Sequence, residues 1–211
     1  MKTKFINLLL LLSLSAVATG QNITDLFRTM PPALLPGISE SNKTMLLVDS
    51  GNTSVPYSLG EISKVAHDRE FLHIRTSAAG DLQLKILPLP GDSAIICLIQ
   101  TVCAGICDSR ITFFTTEWVK LDPLGFLPTI SKEIFFISPE NHSDNYKYTV
   151  SLPDIYPISA RFDKAGTDLL LKLHYRERLT EEQMAEINPY LKNDSLFLHW
   201  KNGSFREEMR R

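Results

Sequence analysis

The sequence predicts an α+β fold: a mainly antiparallel sheet with an N-terminal helical segment and one late helix. Three observations carry this prediction. The segment from residue 22 to 51 has helix signals broken by prolines, the segments after residue 70 alternate between apolar and polar residues, and one well-capped helix separates two late strands. We expect residues 21–211 to form a single α+β domain, with two subdomains that meet near residue 90 as the alternative.

The first 20 residues predict a secretory signal peptide. Lys2 and Lys4 precede an apolar run from Ile6 to Val17, and small residues follow it. A membrane anchor is the alternative, but this run is shorter than the roughly 20 apolar residues that span a bilayer. We therefore expect cleavage after Ala18 or Gly20 and export to the periplasm, the outer surface or the extracellular space, with no membrane span in the mature chain.

The charge of the chain argues against nucleic acid as a partner. The formal net charge is −2 for 211 residues, and it becomes −4 when Lys2 and Lys4 leave with the signal peptide. Binding to nucleic acid needs a basic patch or stripe, which this sequence does not present. The expected partner is instead an envelope protein or a glycan.

Two short helices are predicted at the start of the mature chain. The first has Leu26, Phe27 and Met30 on one face and ends before Pro31 and Pro32, because proline lacks the amide donor and disfavours helix in the residue before it. The second begins with Ser39 as N-cap and ends near Gly51.

The strands are predicted from period-2 alternation, which is typical of half-buried strands. Ala94 to Val102 is nearly all apolar and predicts a strand covered on both faces, with Ile111 to Val119 as its hairpin partner. The alternating segments are Phe71–Thr76, Leu82–Ile86, Leu169–Arg176 and Leu196–Lys201.

The late helix has the clearest local signals in the chain. Thr180 and Gln183 have the spacing of a capping box, in which each side chain accepts a hydrogen bond from the backbone N–H of the other residue. Glu181 and Glu182 lie in the first turn, where the helix dipole favours negative charge. Asn188, followed by a proline, ends the helix.

The three cysteines lie within eleven residues of one another. A hairpin centred on Gly105 places Cys103 opposite Cys107, at a distance that a disulfide accepts. Cys97 is six residues from Cys103, hence roughly 20 Å away along a strand. In an oxidising compartment the sequence therefore predicts a Cys103–Cys107 disulfide with Cys97 as a buried thiol.

Redox and metal sites fit the cysteines less well than a disulfide does. The C-x-x-x-C spacing between two strands differs from the C-x-x-C motif of thiol-exchange proteins. No histidine makes a paired zinc-ligand motif with Cys103 and Cys107. The sequence therefore assigns no metal and no cofactor.

No catalytic motif is present, and one segment is a candidate for ligand contact. The sequence lacks a G-x-S-x-G elbow, a phosphate-binding glycine loop and an H-E-x-x-H motif. Asp108, Ser109 and Arg110 follow the predicted hairpin loop and could present polar groups to a ligand. The alternative is that they make the ordinary backbone hydrogen bonds of a hairpin end. We assign no catalytic residue.

Asparagine usage raises a question about the source of the chain. Six of the eight asparagines after residue 20 begin N-x-S/T sequences without proline, a density that would suit a eukaryotic secreted glycoprotein. The alternative is that these asparagines serve in turns. They are Asn22, Asn42, Asn52, Asn141, Asn193 and Asn202.

Several motifs resemble a family of secreted Bacteroidales proteins known as the DUF3256 family, a family of unknown function. They are LFRTMPPALLP from Leu26, LKILPL from Leu84, IICLIQTVCAGICDSRITFF followed by Trp118, and NPYLKNDSLFLHWKNGSF from Asn188. The resemblance covers nearly the whole mature chain. It implies an exported α+β protein, and it supplies no established activity or catalytic residue.

Two classes of function remain open at the level of sequence. The sequence favours a non-enzymatic binding or structural protein of the cell envelope, because it combines a signal peptide, a strand-rich fold and no catalytic motif. The alternative is a hydrolase or a thiol-disulfide enzyme whose site is assembled from distant residues, which a single sequence cannot show.

Overall fold

The fold consists of helices and two antiparallel sheets. The computed structural model describes residues 22–48, 51, 53–58, 60–137, 145–151, 155–163 and 166–207. The predicted signal peptide lies outside these residues, as do Asn52 and Asn141. The described residues contain four α-helices and eleven strands, which agrees with the predicted α+β class.

The elements are numbered in chain order. The helices are α1 (Ile23–Thr29), α2 (Glu40–Val48), α3 (Asn145–Thr149) and α4 (Glu181–Ile187). The strands of the first sheet are β1 (Ser54–Tyr57), β2 (Gly60–His67), β3 (Phe71–Arg75), β4 (Gly80–Pro88), β5 (Ala94–Ala104), β6 (Ile106–Phe114) and β7 (Lys120–Leu121). Those of the second sheet are β8 (Ile158–Phe162), β9 (Leu169–Leu173), β10 (Ser195–Lys201) and β11 (Ser204–Glu207).

Both sheets are simple meanders. The seven strands of the large sheet pair in chain order from β1 to β7, and the four strands of the small sheet pair in the order β11-β10-β9-β8. Every pairing is antiparallel. Strand β8 is therefore an edge strand of the small sheet, and it contacts β6 of the large sheet.

The large sheet is covered on both faces, so the molecule has three layers. Residues such as Leu72, Leu84 and Leu98 pack with helices α1 and α2 in one apolar core. The residues next to them in sequence point to the other face, where Phe71 and Cys97 pack with the small sheet in a second core. This alternation follows from the two-residue period of a strand, and it explains why β5 is nearly all apolar.

The N-terminal segment forms the two predicted short helices. Helix α1 buries Leu26 and Phe27 and ends at Thr29, before the prolines. Helix α2 begins after Ser39, whose hydroxyl oxygen accepts a hydrogen bond from the N–H of Asn42 at 3.1 Å. Its last described residue is Val48, and the predicted end near Gly51 lies next to residues outside the description.

A buried lysine connects these two helices. The side chain of Lys43 is only 1 % exposed, and its Nζ donates to the carbonyl oxygen of Met30 at 2.9 Å and to Oε1 of Glu40 at 2.9 Å. The carbonyl groups at the end of a helix have no partner within the helix. Lys43 of α2 supplies a hydrogen-bond donor to one of them, the carbonyl of Met30 at the end of α1.

The predicted strands are confirmed, with two kinds of difference. Strand β6 begins at Ile106 rather than at Ile111, because the hairpin turn contains only Gly105, which has a φ of +77°. The region predicted as the end of this strand is instead a turn in which Trp118 has a φ of +64°. Strands β1, β2, β7, β8 and β11 and helix α3 were not predicted.

The late helix and its cap are confirmed. The side chain of Thr180 accepts from the N–H of Gln183 at 3.2 Å, and the N–H of Thr180 donates to Oε1 of Gln183 at 3.0 Å. Helix α4 ends at Ile187, and a single 3₁₀ turn, Asn188–Tyr190, follows it.

The described asparagines of the N-x-S/T sequences take part in local backbone structure. Asn22 caps α1 by accepting from the N–H of Asp25 at 2.9 Å, and Asn42 donates to the carbonyl of Pro56 at 2.8 Å. Asn193 accepts from the N–H of Ser195 at 3.2 Å, and Asn202 occupies the β10–β11 turn with a φ of +53°. These roles are the turn and cap chemistry that asparagine favours.

Candidate functional site

The edge of the small sheet is sealed by side chains of the large sheet. Alternate residues of β8 point their N–H groups away from β9. The N–H of Ile158 donates to Oδ1 of Asp108 at 3.1 Å, that of Ala160 to Oγ of Ser109 at 2.9 Å, and that of Phe162 to Oε1 of Gln83 at 2.9 Å. These backbone donors are thereby satisfied, and the edge is protected from pairing with another strand.

The polar segment predicted to face a ligand therefore has a structural role in part. Asp108, Ser109 and Arg110 lie within strand β6 rather than in a loop. Asp108 and Ser109 hold the β8 edge, and Ser109 also contacts Oγ1 of Thr101 at 2.7 Å. Arg110 pairs with Gln100, whose amide reaches the N-terminal segment, so Arg110 projects from the opposite face of the sheet.

Cys103 and Cys107 lie directly opposite one another across the β5–β6 turn, as the predicted register requires. Their Cα atoms are 4.0 Å apart and their sulfur atoms are joined as a disulfide. Cys97 lies in the core between the sheets with no exposed surface, and burial raises the pKa of its thiol well above the ordinary value. No third thiol is therefore placed to exchange with the disulfide.

Two clefts lie on either side of strand β8. One cleft has a volume of about 420 Å³ and lies between β6, β8 and the segment from Pro123 to Lys132. The other has a volume of about 450 Å³ and lies between strands β3–β6 and the outer face of β8 and β9. Both volumes fall within the range of small-molecule sites.

Most residues that line the first cleft, which we call the apolar cleft, are apolar, and two of its polar side chains already bind a backbone carbonyl. Ile111, Leu127 and Ile158 contribute to its walls. Lys132 Nζ donates to the carbonyl oxygen of Val150 at 3.1 Å, and the hydroxyl of Tyr156 donates to the same oxygen at 2.6 Å. Burial of Tyr156 raises the pKa of its phenol far above the ordinary value, so this group remains a neutral donor.

Most residues that line the second cleft have polar or charged side chains, and we call it the cationic groove. Arg75 lines it from the large sheet, and Arg161 and Lys172 line it from the small sheet. These three side chains are exposed, and within the described residues their charged groups make no hydrogen bond or ion pair. Asp81, the acidic residue of the lining, contacts Nε2 of His73 at 2.9 Å through Oδ1.

A serine, a histidine and a glutamate form a chain of contacts beside this groove: Ser159 lies on β8, His174 directly follows β9, and Glu177 lies in the 3₁₀ turn after it. Oγ of Ser159, which lines the groove, is 2.8 Å from Nε2 of His174. Nδ1 of His174 is 3.6 Å from Oε1 of Glu177. The first contact is a hydrogen bond, and the second is longer than one. His174 is only 9 % exposed, so its ring orientation is constrained by packing.

Neither a metal-ligand cluster nor a membrane-spanning helix occurs among the residues that the structure describes. In those ranges, no group of three or more His, Cys, Asp and Glu side chains is arranged to hold a metal ion. None of the helices found there has both the length and the apolar character that crossing a membrane requires.

Comparison with known proteins identifies the family. The sequence model of a family described as "Protein of unknown function (DUF3256)" matches residues 15–205. The chain belongs to the DUF3256 family. The resemblance inferred from the motifs is thus confirmed, and the match covers both sheets except for the last two residues of β11.

A solved structure shares the fold of this DUF3256 protein. It is described as a domain of an uncharacterized protein from Porphyromonas gingivalis W83, and it aligns with a TM-score of 0.75 and 26% sequence identity. The alignment covers 89% of this chain and 98% of that one. A search of curated proteins found no significant match.

The cationic groove of this DUF3256 protein was missed by the sequence reasoning. Arg75 precedes Arg161 by more than eighty residues, so no local motif contains both. The available signal was that each cation stands at a polar position of an alternating strand. That pattern describes almost any exposed strand face, and only the packing of the two sheets brings these positions to one groove.

Proposed function

We propose that this DUF3256 protein is an exported protein of the cell envelope that acts by binding, and that its ligand occupies the cationic groove. Export is supported by the predicted signal peptide and by the disulfide, which persists in oxidising compartments. Binding is supported by a preformed groove whose walls are strands of both sheets.

One observation favours this groove over the apolar cleft. In the apolar cleft, Lys132 and Tyr156 already donate to the carbonyl oxygen of Val150, whereas the charged groups of the groove, on Arg75, Arg161 and Lys172, keep their hydrogen-bonding capacity available. An incoming ligand can therefore gain charge-assisted hydrogen bonds in the groove without breaking contacts within the protein.

Export is tested by fractionating the native host and sequencing the N-terminus of the recovered protein. We expect the protein outside the cytoplasm, with a chain that starts at Thr19 or Gln21. Recovery from the cytoplasm with Met1 retained would contradict the exported function.

Binding in the groove is tested without knowledge of the ligand. Protein purified gently from its host is examined by native mass spectrometry, and the Leu170→Trp variant, which fills the groove, is compared with wild type. We expect an additional non-covalent mass on wild type that is absent from Leu170→Trp. The control is Val119→Trp, because Val119 is 60 % exposed and lies outside the groove. A bound mass that Leu170→Trp retains would contradict binding in this groove.

Hydrolysis is the second candidate function, and the Ser159–His174 contact favours it. In this scheme Ser159 Oγ attacks an ester carbonyl while its proton passes to Nε2 of His174. The alcohol then leaves with that proton, and water cleaves the resulting acyl-enzyme. Glu177 would orient the imidazole through Nδ1 when the two groups approach more closely.

A fluorophosphonate probe tests the hydrolase directly, because it reacts with activated serines. Labelling of Ser159, lost in His174→Asn and kept in Ser195→Ala, would support hydrolysis and replace the binding function. Ser195 is a suitable control because it lies two strands away on the same face of the sheet. We expect no labelling, since the backbone N–H of Ala160, the residue after Ser159, already donates to Ser109 and is not available to stabilise an oxyanion.

A further inference from the structure

The cations of the groove are segregated on a chain that is acidic overall. The formal net charge of the sequence is −2, yet the groove carries three cationic side chains against the single carboxylate of Asp81, which faces His73. This excess of positive charge is local, and it does not follow from composition. Such a surface attracts ligands that carry oxyanions.

The cations stand on two different walls. Lys172 is directly opposite Ser159 in the β8–β9 pairing, and Arg161 lies two residues from Ser159 on the same face of β8. Arg75 belongs to β3 of the large sheet. A ligand between the walls can therefore contact cations on both sides, which requires at least two anionic groups or one group that bridges them. Arginine is suited to this task because its planar guanidinium binds carboxylate or sulfate in a bidentate manner.

Neutral groups of the groove fit a carbohydrate. Ser159 and Thr101 present hydroxyl groups at the lining. The side-chain oxygen of Gln83 accepts a hydrogen bond from β8, and its amide nitrogen remains available as a donor. Beside the groove, Phe197 is 49 % exposed and pairs with Leu170, which lines the groove. This apolar ledge can pack against the face of a sugar ring while the hydroxyl groups of the sugar bind polar side chains.

The sealed edge of β8 argues against an extended acidic peptide. Peptides of that kind commonly bind by adding a strand to an open sheet edge. At β8 the outward N–H groups of Ile158, Ala160 and Phe162 already donate to side chains of the large sheet. A peptide would therefore lose the backbone hydrogen bonds that normally supply its affinity.

We propose that the cationic groove binds an acidic oligosaccharide, whose carboxylate or sulfate groups contact Arg75, Arg161 and Lys172. This inference rests on the proposed binding function and names the class of ligand. The two possible sources of the anionic group, uronic acid and sugar sulfate, share the same recognition chemistry and are distinguished by experiment.

The test is isothermal titration calorimetry of the mature protein with four probes of similar length. These are a hexamer of galacturonic acid, a heparin-derived hexasaccharide, neutral maltohexaose and hexaglutamate. We expect at least one acidic oligosaccharide to bind at least about tenfold more tightly than both maltohexaose and hexaglutamate, and the better of the two acidic sugars identifies the anionic group. The affinity should fall with added salt, because salt screens exposed charges.

Variants locate the binding. Arg75→Ala, Arg161→Ala and Lys172→Ala should each weaken binding of the acidic sugar about tenfold, as expected for the loss of one charge-assisted contact. Arg110→Ala is the matched control, since Arg110 is an exposed cation of the large sheet on the face opposite to the groove. It should leave binding unchanged. All four substitutions replace exposed side chains, so thermal unfolding should confirm that the variants remain folded.

The outcomes separate this inference from the function on which it rests. Equal binding of maltohexaose, abolished by Leu170→Trp, would keep the groove as a binding site and overturn the acidic class. Tighter binding of hexaglutamate than of either acidic sugar would also overturn the inference, in favour of an acidic peptide. If the three groove variants bind the acidic sugar as tightly as wild type, the site lies elsewhere. That result would overturn both the acidic-oligosaccharide inference and the proposed binding function of the groove.

Discussion

The backbone N–H of Ala160 donates to the side-chain oxygen of Ser109 at 2.9 Å, and this hydrogen bond joins the edge of the small sheet to the large sheet. It also fixes the position of β8, the strand that separates the apolar cleft from the cationic groove. The shape of the candidate site thus depends on a contact that lies beside it rather than within it.

Ser109→Ala is expected to lower the free energy of unfolding by about 1–2 kcal/mol, because the part-buried N–H of Ala160 loses its acceptor. Urea denaturation measures the change. Ser63→Ala is the control, since Ser63 is a half-buried strand serine with no side-chain hydrogen bond in the described residues. An equal effect of both substitutions would show that the Ser109 contact adds nothing.

Protein recovered from its native compartment is expected to have Cys103 joined to Cys107 and Cys97 unpaired. The two paired cysteines face one another in the hairpin register, whereas Cys97 lies six residues along β5. Thiol counting after denaturation without reductant should find one free cysteine. Three free thiols would contradict the disulfide, and a Cys97–Cys103 link found by mass mapping would contradict the register.

Burial of Cys97 is expected to make stability depend on pH above the ordinary thiol pKa of about 8.5. Because burial raises the pKa of Cys97 in the folded state, the unfolded chain loses this proton first as the pH rises. The folded state is therefore favoured at lower pH, and the free energy of unfolding should fall by up to about 1.4 kcal/mol per pH unit above 8.5.

The contribution of Cys97 is isolated by comparing wild type with Cys97→Ala between pH 7.5 and 9.5. The buried tyrosines are present in both proteins, so their titration cancels in the difference. If the difference in unfolding free energy between wild type and Cys97→Ala does not change with pH, the Cys97 thiol has the same pKa in the folded and unfolded states. Alkylation of Cys97 before unfolding would contradict its burial more directly.

Thr180→Ala is expected to cost about 1 kcal/mol, because it removes the side-chain acceptor for the N–H of Gln183 at the start of α4. Chemical denaturation measures the shift in midpoint. Glu186→Ala in the same helix is the control, because Glu186 is exposed and should change stability by less than about 0.5 kcal/mol. An unchanged midpoint for Thr180→Ala would show that the cap does not stabilise the protein.

Local signals predicted much of the secondary structure, and their failures have physical reasons. The cap of α4 was found because Thr180 and Gln183 interact over only three residues. Strand β8 was missed although Ser159 and Arg161 alternate with apolar residues, because an alternation of only five residues is a weak signal by itself. Strand β6 was predicted to begin five residues too late, since Asp108 and Ser109 resemble loop residues in sequence but bind a neighbouring strand in the fold.

The sequence by itself determined the α+β class, the family, the hairpin register and the position of the late helix. Each of these depends on periodicity, on residue preferences within a few positions, or on extended motifs. Only the tertiary structure decided that Arg75, Arg161 and Lys172 line one groove and that Ser159 meets His174. Those relationships depend on how the two sheets pack, and the burial of apolar faces over the whole chain determines that packing. The polar residues that the packing brings together carry no local sequence pattern of their own.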